Sequence, residues 1–261
     1  MDRILSTAAV KPFLPLALDH LVVAARTLDE GEAWLEQRLG RALEPGGAHP
    51  GFGTHNRLLR LGADCYLELI APDPAQASAV ATRPALLFGL DQAPVARALA
   101  EGPLLLHTVF RVIAPAGIPE VLPQLRYDPG VPTAMSRGDL RWTITIAADR
   151  GLAGDGLLPT LIDWGKTLHP CARLPDRGVA LAGLRFSGPT TVVQAFPSAT
   201  LAREEGNSDA RDEIRATPRP AADGAVEPVG AVSTYSTISA NFVVDGKSII
   251  IESRLPARDL A

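Results

Sequence analysis

Apolar residues come along this chain in short blocks separated by turn-forming residues, and the spacing within the blocks changes from one to the next. Residues 18–24, Leu-Asp-His-Leu-Val-Val-Ala, form a nearly continuous apolar run, as expected of a strand covered on both faces. Thr27-Leu28-Asp29-Glu30 has the spacing of a capping box and predicts a helix start. Leu28, Trp34, Leu35 and Leu39 then lie close to one helical stripe, and Gly40 is placed to end it. Residues 45–53 hold four glycines and two prolines and are predicted to be a loop. Residues 56–61 alternate apolar and polar positions, Gly62-Ala63-Asp64 supplies a turn, and residues 65–70 give a further strand. The first unit therefore reads as strand, helix, loop and two or three antiparallel strands.

The same order returns after an alanine- and proline-rich connector with a short helix near residues 94–100. Residues 104–113 predict a strand, 119–125 a short helix opened by proline, and 139–147 and 157–164 further strands. The repetition predicts an internal repeat. A third start is visible from residue 179, with a strand through Leu184-Arg185-Phe186 and a poor helix candidate after Pro189. Closing strands follow at 234–244 and 248–253, joined by the hairpin turn Asp245-Gly246-Lys247. The expected organisation is an α+β domain over 16–178, with module one at 16–74, a linker at 75–103 and module two at 104–178. A C-terminal partial third module spans 179–261, and its charged, Pro- and Gly-rich stretch 202–230 is predicted to be a flexible loop.

Composition narrows the function classes. The 261 residues are 46% hydrophobic and 21% charged with a net charge of -4 and no Lys/Arg block, which argues against nucleic acid as a partner. Only two cysteines occur, Cys65 and Cys171, too few for a disulfide framework or zinc finger. The first 18 residues are interrupted by Lys11, Pro12 and Pro15, so no signal-peptide core is expected. No stretch reaches transmembrane length, and the default expectation is a cytoplasmic protein without membrane contact. There is no P-loop, no Gly-x-Ser-x-Gly elbow and no dinucleotide fingerprint. The partners expected are a small-molecule ligand and, at most, a second copy of the chain as a homodimer.

Two strands carry candidate chemistry: His20 lies within the first apolar run and Glu68 within Tyr66-Leu67-Glu68-Leu69-Ile70-Ala71-Pro72. Either group is costly to bury without a partner. Asp19-His20-Leu21-Val22 and the Glu68 strand resemble the opening and closing strands of the vicinal oxygen chelate superfamily. That superfamily includes glyoxalase I, extradiol dioxygenases, fosfomycin-resistance proteins and bleomycin-binding proteins. More narrowly, the chain is similar to proteins with a glyoxalase-like domain. This likeness is carried by Gly51-Phe52-Gly53-Thr54-His55-Asn56, Met135-Ser136-Arg137, Leu140-Arg141-Trp142, Leu161-Ile162-Asp163-Trp164-Gly165 and His169-Pro170.

The resemblance implies βαβββ modules pairing into curved mixed sheets around a pocket, with metal ligands on the first and last strands of each module. His20 and Glu68 occupy those places in module one, and overlaying module two puts His107 onto His20. The closing strand of module two offers only Thr160 or Asp163, and Glu252 overlays Glu68 in the third unit without a matching histidine. His20, Glu68 and His107 would form a two-histidine, one-carboxylate set compatible with Zn, Mn, Fe, Ni or Co, with Glu68 also moving protons. The activity implied is a metal-dependent lyase, isomerase or dioxygenase acting on a small molecule with vicinal oxygens. The competing expectation is a metal-free binding protein that sequesters a small molecule. Residues expected to line the substrate pocket are His55, Asn56, Arg141, Asp163, Trp164 and His169.

Overall fold

In the computed structural model, residues 14–77, 85–196, 215–218 and 235–256 are described. Two modules build one eight-stranded sheet. The first comprises β1 (Leu16–Ala24), α1 (Leu28–Leu39), β2 (Glu44–His49), β3 (Thr54–Arg60) and β4 (Tyr66–Pro72). After two short helices, α2 (Pro74–Ala77) and α3 (Ala93–Ala100), the second comprises β5 (Leu104–Val112), α4 (Ile118–Val121), β6 (Val131–Arg137), β7 (Leu140–Ile146) and β8 (Thr160–Asp163). The strand order is β2-β3-β4-β1-β5-β8-β7-β6. Each opening strand runs parallel to its own module's closing strand, and β1 and β5 meet antiparallel at the centre. The two βαβββ modules are therefore arranged symmetrically about the β1–β5 junction.

Local sequence explains the joints. Thr27 caps α1 by accepting from the Glu30 N–H, and Gly40 ends it in the left-handed conformation with φ 64°. The reciprocal half of the capping box is altered: Glu30 accepts from the backbone of Arg26 and pairs with its guanidinium instead of reaching Thr27. All nine residues of β1 are buried, as befits a central strand paired on one side with β4 and on the other with β5.

The expected loop at 45–53 is in part a strand. Residues Glu44–His49 pair antiparallel with β3, with a register shift between Pro45 and Gly47. Proline and glycine survive here because β2 is an edge strand, where a missing N–H and a bulge cost little. A further strand, β6, pairs along its whole length with β7.

The C-terminal residues do not extend this sheet. β9 (Val179–Gly188), α5 (Thr190–Ala195), β10 (Arg215–Pro218), β11 (Tyr235–Val244) and β12 (Lys247–Pro256) include a separate four-stranded sheet in the order β10-β9-β11-β12. Asp245 and Gly246, both at positive φ, make the expected hairpin turn. The predicted flexible stretch 202–230 lies outside the described residues except for 215–218, which form the edge strand β10. The second sheet backs onto β5, where the buried Ser253 hydroxyl accepts from the Leu105 N–H at 2.8 Å. Among the described residues no helix is long and apolar enough to cross a membrane.

Candidate functional site

The site begins with an irregularity in β1. Leu18 pairs with Phe110 and His20 with Val109, so Asp19 is the extra residue of a bulge. A bulge re-aims one side chain without breaking the strand. Here it brings the fully buried Asp19 carboxylate beside its neighbour's ring, and His20 Nδ1–H donates to Asp19 Oδ1 at 2.6 Å. The other oxygen, Oδ2, accepts from Trp164 Nε1–H at 2.8 Å and from His169 Nε2–H at 3.1 Å. The His169 tautomer follows from the Cys171 N–H, which donates to Nδ1. Asp19 is thus held by three donors, its neighbour His20 and two residues, Trp164 and His169, of one distant stretch.

On the far side of the His20 ring, Nε2 stands 3.5 Å from Glu68 Oε2. Glu68 faces the same concave surface from β4, and Tyr66, two residues earlier, stacks on the imidazole with centroids 4.5 Å apart. Glu68 Oε1 accepts from Asn56 Nδ2 at 2.6 Å, and the same amide donates to His49 Nε2 at 3.2 Å. The orientation of Asn56 is fixed by two donors on its oxygen, the Gly47 N–H at 2.9 Å and the Arg137 guanidinium at 3.0 Å. His49 Nδ1–H in turn donates to the Thr54 hydroxyl at 2.8 Å. A chain of hydrogen bonds with one ion pair, His20 to Glu68, therefore joins Asp19, His20, Glu68, Asn56 and Arg137, drawn from β1, β4, β3 and β6.

Charge follows from this geometry. Burial alone pushes the His20 imidazole toward its neutral form, but the hydrogen bonds and charges of Asp19 and Glu68 outweigh it and raise its pKa to about 9. Burial alone likewise pushes the Glu68 carboxyl up, yet His20, His49 and the Asn56 amide together bring it down to about 2. Asp19 is lowered by the two histidines against the same penalty. His49, beside the Arg137 charge, is shifted down by burial and stays neutral. The resting site is an imidazolium between two carboxylates.

The hollow over this set has a volume of about 40 Å³. Tyr66, Phe88, Trp142 and Trp164 give it aromatic walls, and Arg137, His49 and Asn56 its polar side.

The expected residues separate into two groups. Structure brings together His20, Glu68, Asn56, Trp164 and His169. His107 is elsewhere on the concave face: its Nδ1–H donates to the Gly156 carbonyl at 2.8 Å, while Nε2 accepts from the Thr160 N–H at 3.1 Å and lies 3.0 Å from the Thr160 hydroxyl. Burial holds it neutral, with a pKa near 4. Both of its nitrogens are used within module two, so it has no lone pair to offer a metal shared with His20. Asp163 binds the N–H of Gly165 in its own turn and packs against Gly117. Arg141 folds back onto the carbonyls of Gly138 and Leu140. His55 alternates with Asn56 along β3 and so points to the opposite face. Glu252 is exposed on β12.

Three residues of the site were given no role from the sequence: Asp19, His49 and Tyr66. The glycine pair before His49 was the available signal for the close approach of its strand to the site. A Cβ at Gly46 would lie 2.0 Å from Asn56 Oδ1, and one at Gly47 would lie 2.8 Å from Arg137 Cδ. These glycines let the edge strand press against the polar chain.

Whether a divalent metal fits is decided by the donors. Asn56 donates to both Glu68 Oε1 and His49 Nε2, which lie 3.6 Å apart, the Thr160 N–H caps His107 Nε2, and His20 Nε2 faces Glu68 Oε2 at 3.5 Å. Among the described residues no three His, Cys, Asp or Glu side chains are arranged to hold a metal ion. The two-histidine, one-carboxylate set expected from the sequence does not converge.

No protein of curated function matches the sequence. Among solved structures, methylmalonyl-CoA epimerase from Mycobacterium tuberculosis is similar at 21% identity and a TM-score of 0.39, over 60% of this chain and 94% of that one. A variant of the Streptomyces coelicolor epimerase in complex with 2-nitronate-propionyl-CoA is similar at 18% identity and 0.38, over 59% and 98%. A hypothetical protein from Bacillus halodurans C-125 is similar at 15% identity and 0.37, over 59% and 97%. The sequence matches the glyoxalase-like domain family over residues 18–200, most of its length. With two βαβββ modules curled around a polar hollow, the chain belongs to the glyoxalase-like domain family of the vicinal oxygen chelate superfamily.

Proposed function

We propose that this protein is a lyase- or isomerase-type enzyme that moves a proton on a small oxygenated substrate, using Glu68 as base and His20 as the cationic partner of the developing oxyanion. The observation that carries the reading is the opposed pair itself. A buried carboxylate and a buried imidazolium face each other at 3.5 Å in the lining of one hollow, each held from behind by its own hydrogen bonds.

A carboxyl held near 2 is too weak a base to take a carbon-bound proton. A substrate carbonyl that enters from the hollow and displaces Oε2 from Nε2 changes that. His20 N–H then donates to the substrate oxygen, the charge that lowered Glu68 is drawn away, and its basicity rises. Glu68 takes the proton from the carbon next to the carbonyl, the electron pair moves onto the oxygen, and His20 stabilises it. Return of the proton to another face or atom completes an isomerisation, while departure of a neighbouring group completes an elimination. Arg137 and the aromatic walls favour an anionic, planar molecule. Of the activities expected from the sequence, dioxygenation needs a metal whose third ligand these donors do not supply.

Deuterium exchange in D2O, followed by proton NMR on a panel of small 2-oxo and 2-hydroxy acids, tests the proposal. Glu68-dependent exchange at a carbon next to the carbonyl is expected, slowed about 100-fold or more in Glu68→Gln. Binding without exchange in any member of the panel would contradict the proposal and favour the sequestering alternative.

A further inference from the structure

Past the ring of Phe88 a second and larger hollow opens, of about 170 Å³ against about 40 Å³ for the one over Glu68. Leu87 and Phe88 line both. The two hollows follow one another along a single face of the sheet. On β7, Trp142, Ile144 and Ile146 share a face by alternation, and on β8 Thr160 and Ile162 do the same, followed just past the strand's end by Trp164, with Ile144 directly opposite Ile162. The inner hollow takes Trp142, Ile144, Ile162 and Trp164 from this strip, and the outer takes Ile146 and Thr160. Phe88 therefore stands over the seam, its ring 5.5 Å from that of His107.

Two features of the seam suit a ligand passing over it. Its polar groups are neutral and mutually satisfied, since His107 and Thr160 bond each other and the main chain. Phe88 is a bulky residue at φ 58° and ψ 23°, a backbone conformation such a side chain adopts only where its surroundings hold it there. Its short turn is fastened from outside by Arg150, which donates to the carbonyls of Ala85 and Gly51.

We propose that the outer hollow is a tail subsite and Phe88 the specificity-determining partition between it and the reacting centre. The substrate class is then a two-part molecule. A compact oxoacid head lies against Glu68, His20 and Arg137, and an acyl or aromatic tail passes Phe88 onto Ile146, Leu152 and Leu158. The proposal rests on the acid–base reading only for where the head lies.

Calorimetric binding of pyruvate, phenylpyruvate and straight-chain 2-oxo acids to the full chain tests it without requiring turnover. Affinity is expected to rise with tail size, phenylpyruvate binding about tenfold or more tighter than pyruvate. Ala147→Phe, which fills the outer hollow from its half-buried wall, should remove that gain and leave pyruvate within about twofold of wild type. Phe88→Ala should strengthen the long probes selectively. A length dependence that survives Ala147→Phe, equal weakening of short and long probes, or the absence of length dependence across the series, including no binding at all, would overturn the subsite. Length-dependent binding with exchange indifferent to Glu68→Gln would instead sink the acid–base reading and leave the subsite standing.

Discussion

At the scale of single residues the account turns on the buried charges of β1 and β4. His20 is raised from 6.5 to about 9, so its share of stability is fully present below pH 6.5 and is lost as pH rises through 9. Glu68 is lowered from 4.5 to about 2, so its share is present above pH 4.5 and is lost as pH falls toward 2. Unfolding free energy from urea titration is therefore expected to be highest between about pH 4.5 and 6.5 as far as this pair contributes. His20→Gln should flatten the limb from 6.5 to 9. At pH 6 the same variant leaves two buried carboxylates without their cation and should cost about 3–5 kcal/mol. A His20→Gln protein as stable as wild type with an unchanged pH profile would show that the imidazolium carries no stability.

Among elements, the edge strand β2 decides how the site is closed. Its Gly46 accommodates Asn56, whose oxygen would meet an added Cβ at 2.0 Å and whose main-chain carbonyl would meet it at 2.6 Å. Gly46→Ala is expected to destabilise by about 1–3 kcal/mol and to release the Asn56 amide from Glu68. Gly62→Ala is the control, since nothing lies within 4 Å of a Cβ there, and it should stay within about 0.5 kcal/mol. Equal effects in thermal unfolding would remove the close approach as the reason for the glycine.

This strand also marks the limit of what could be read from sequence. A continuous apolar run made β1 legible, because both its faces are buried, while spacing and turn residues made α1, the β3–β4 hairpin and the module order legible. In β2 the glycines answer to a side chain arriving from β3 and β6, a tertiary cause that local pattern reads as a loop. His49 was missed for that reason. Arg137 and Arg141 are alike by sequence, and only the β6–β7 register, which pairs Arg137 with Leu140 and Ser136 with Arg141, turns one inward and the other out. His107 matched its repeat position, yet the partner opposite it is Thr160, and the pair closes on itself.

For the whole molecule, the second sheet supports the central junction from behind. Ser253 satisfies the Leu105 N–H on β5, the strand that pairs with β1 beside the site. Ser253→Ala leaves that buried N–H without a partner and should cost about 1–3 kcal/mol. Ser248→Ala, on the exposed hairpin, should stay within about 0.5 kcal/mol. Urea unfolding of both variants checks this, and equal effects would mean that the C-terminal sheet does not brace β5. The repeat was legible in the sequence, as was a β extension after it. That the third unit forms its own sheet was not, because an alternating strand carries no record of which sheet it joins.

On the proposed reading, His20 and Glu68 are a preassembled acid–base pair and not members of a metal-ligand set. Nitrogen-15 NMR of the His20 ring across pH reads this directly. The expected result is an imidazolium with both nitrogens protonated at pH 7, titrating near pH 9 and unchanged by added Zn²⁺. A neutral ring at pH 7, with a bare Nε2 that shifts on zinc addition, would contradict it.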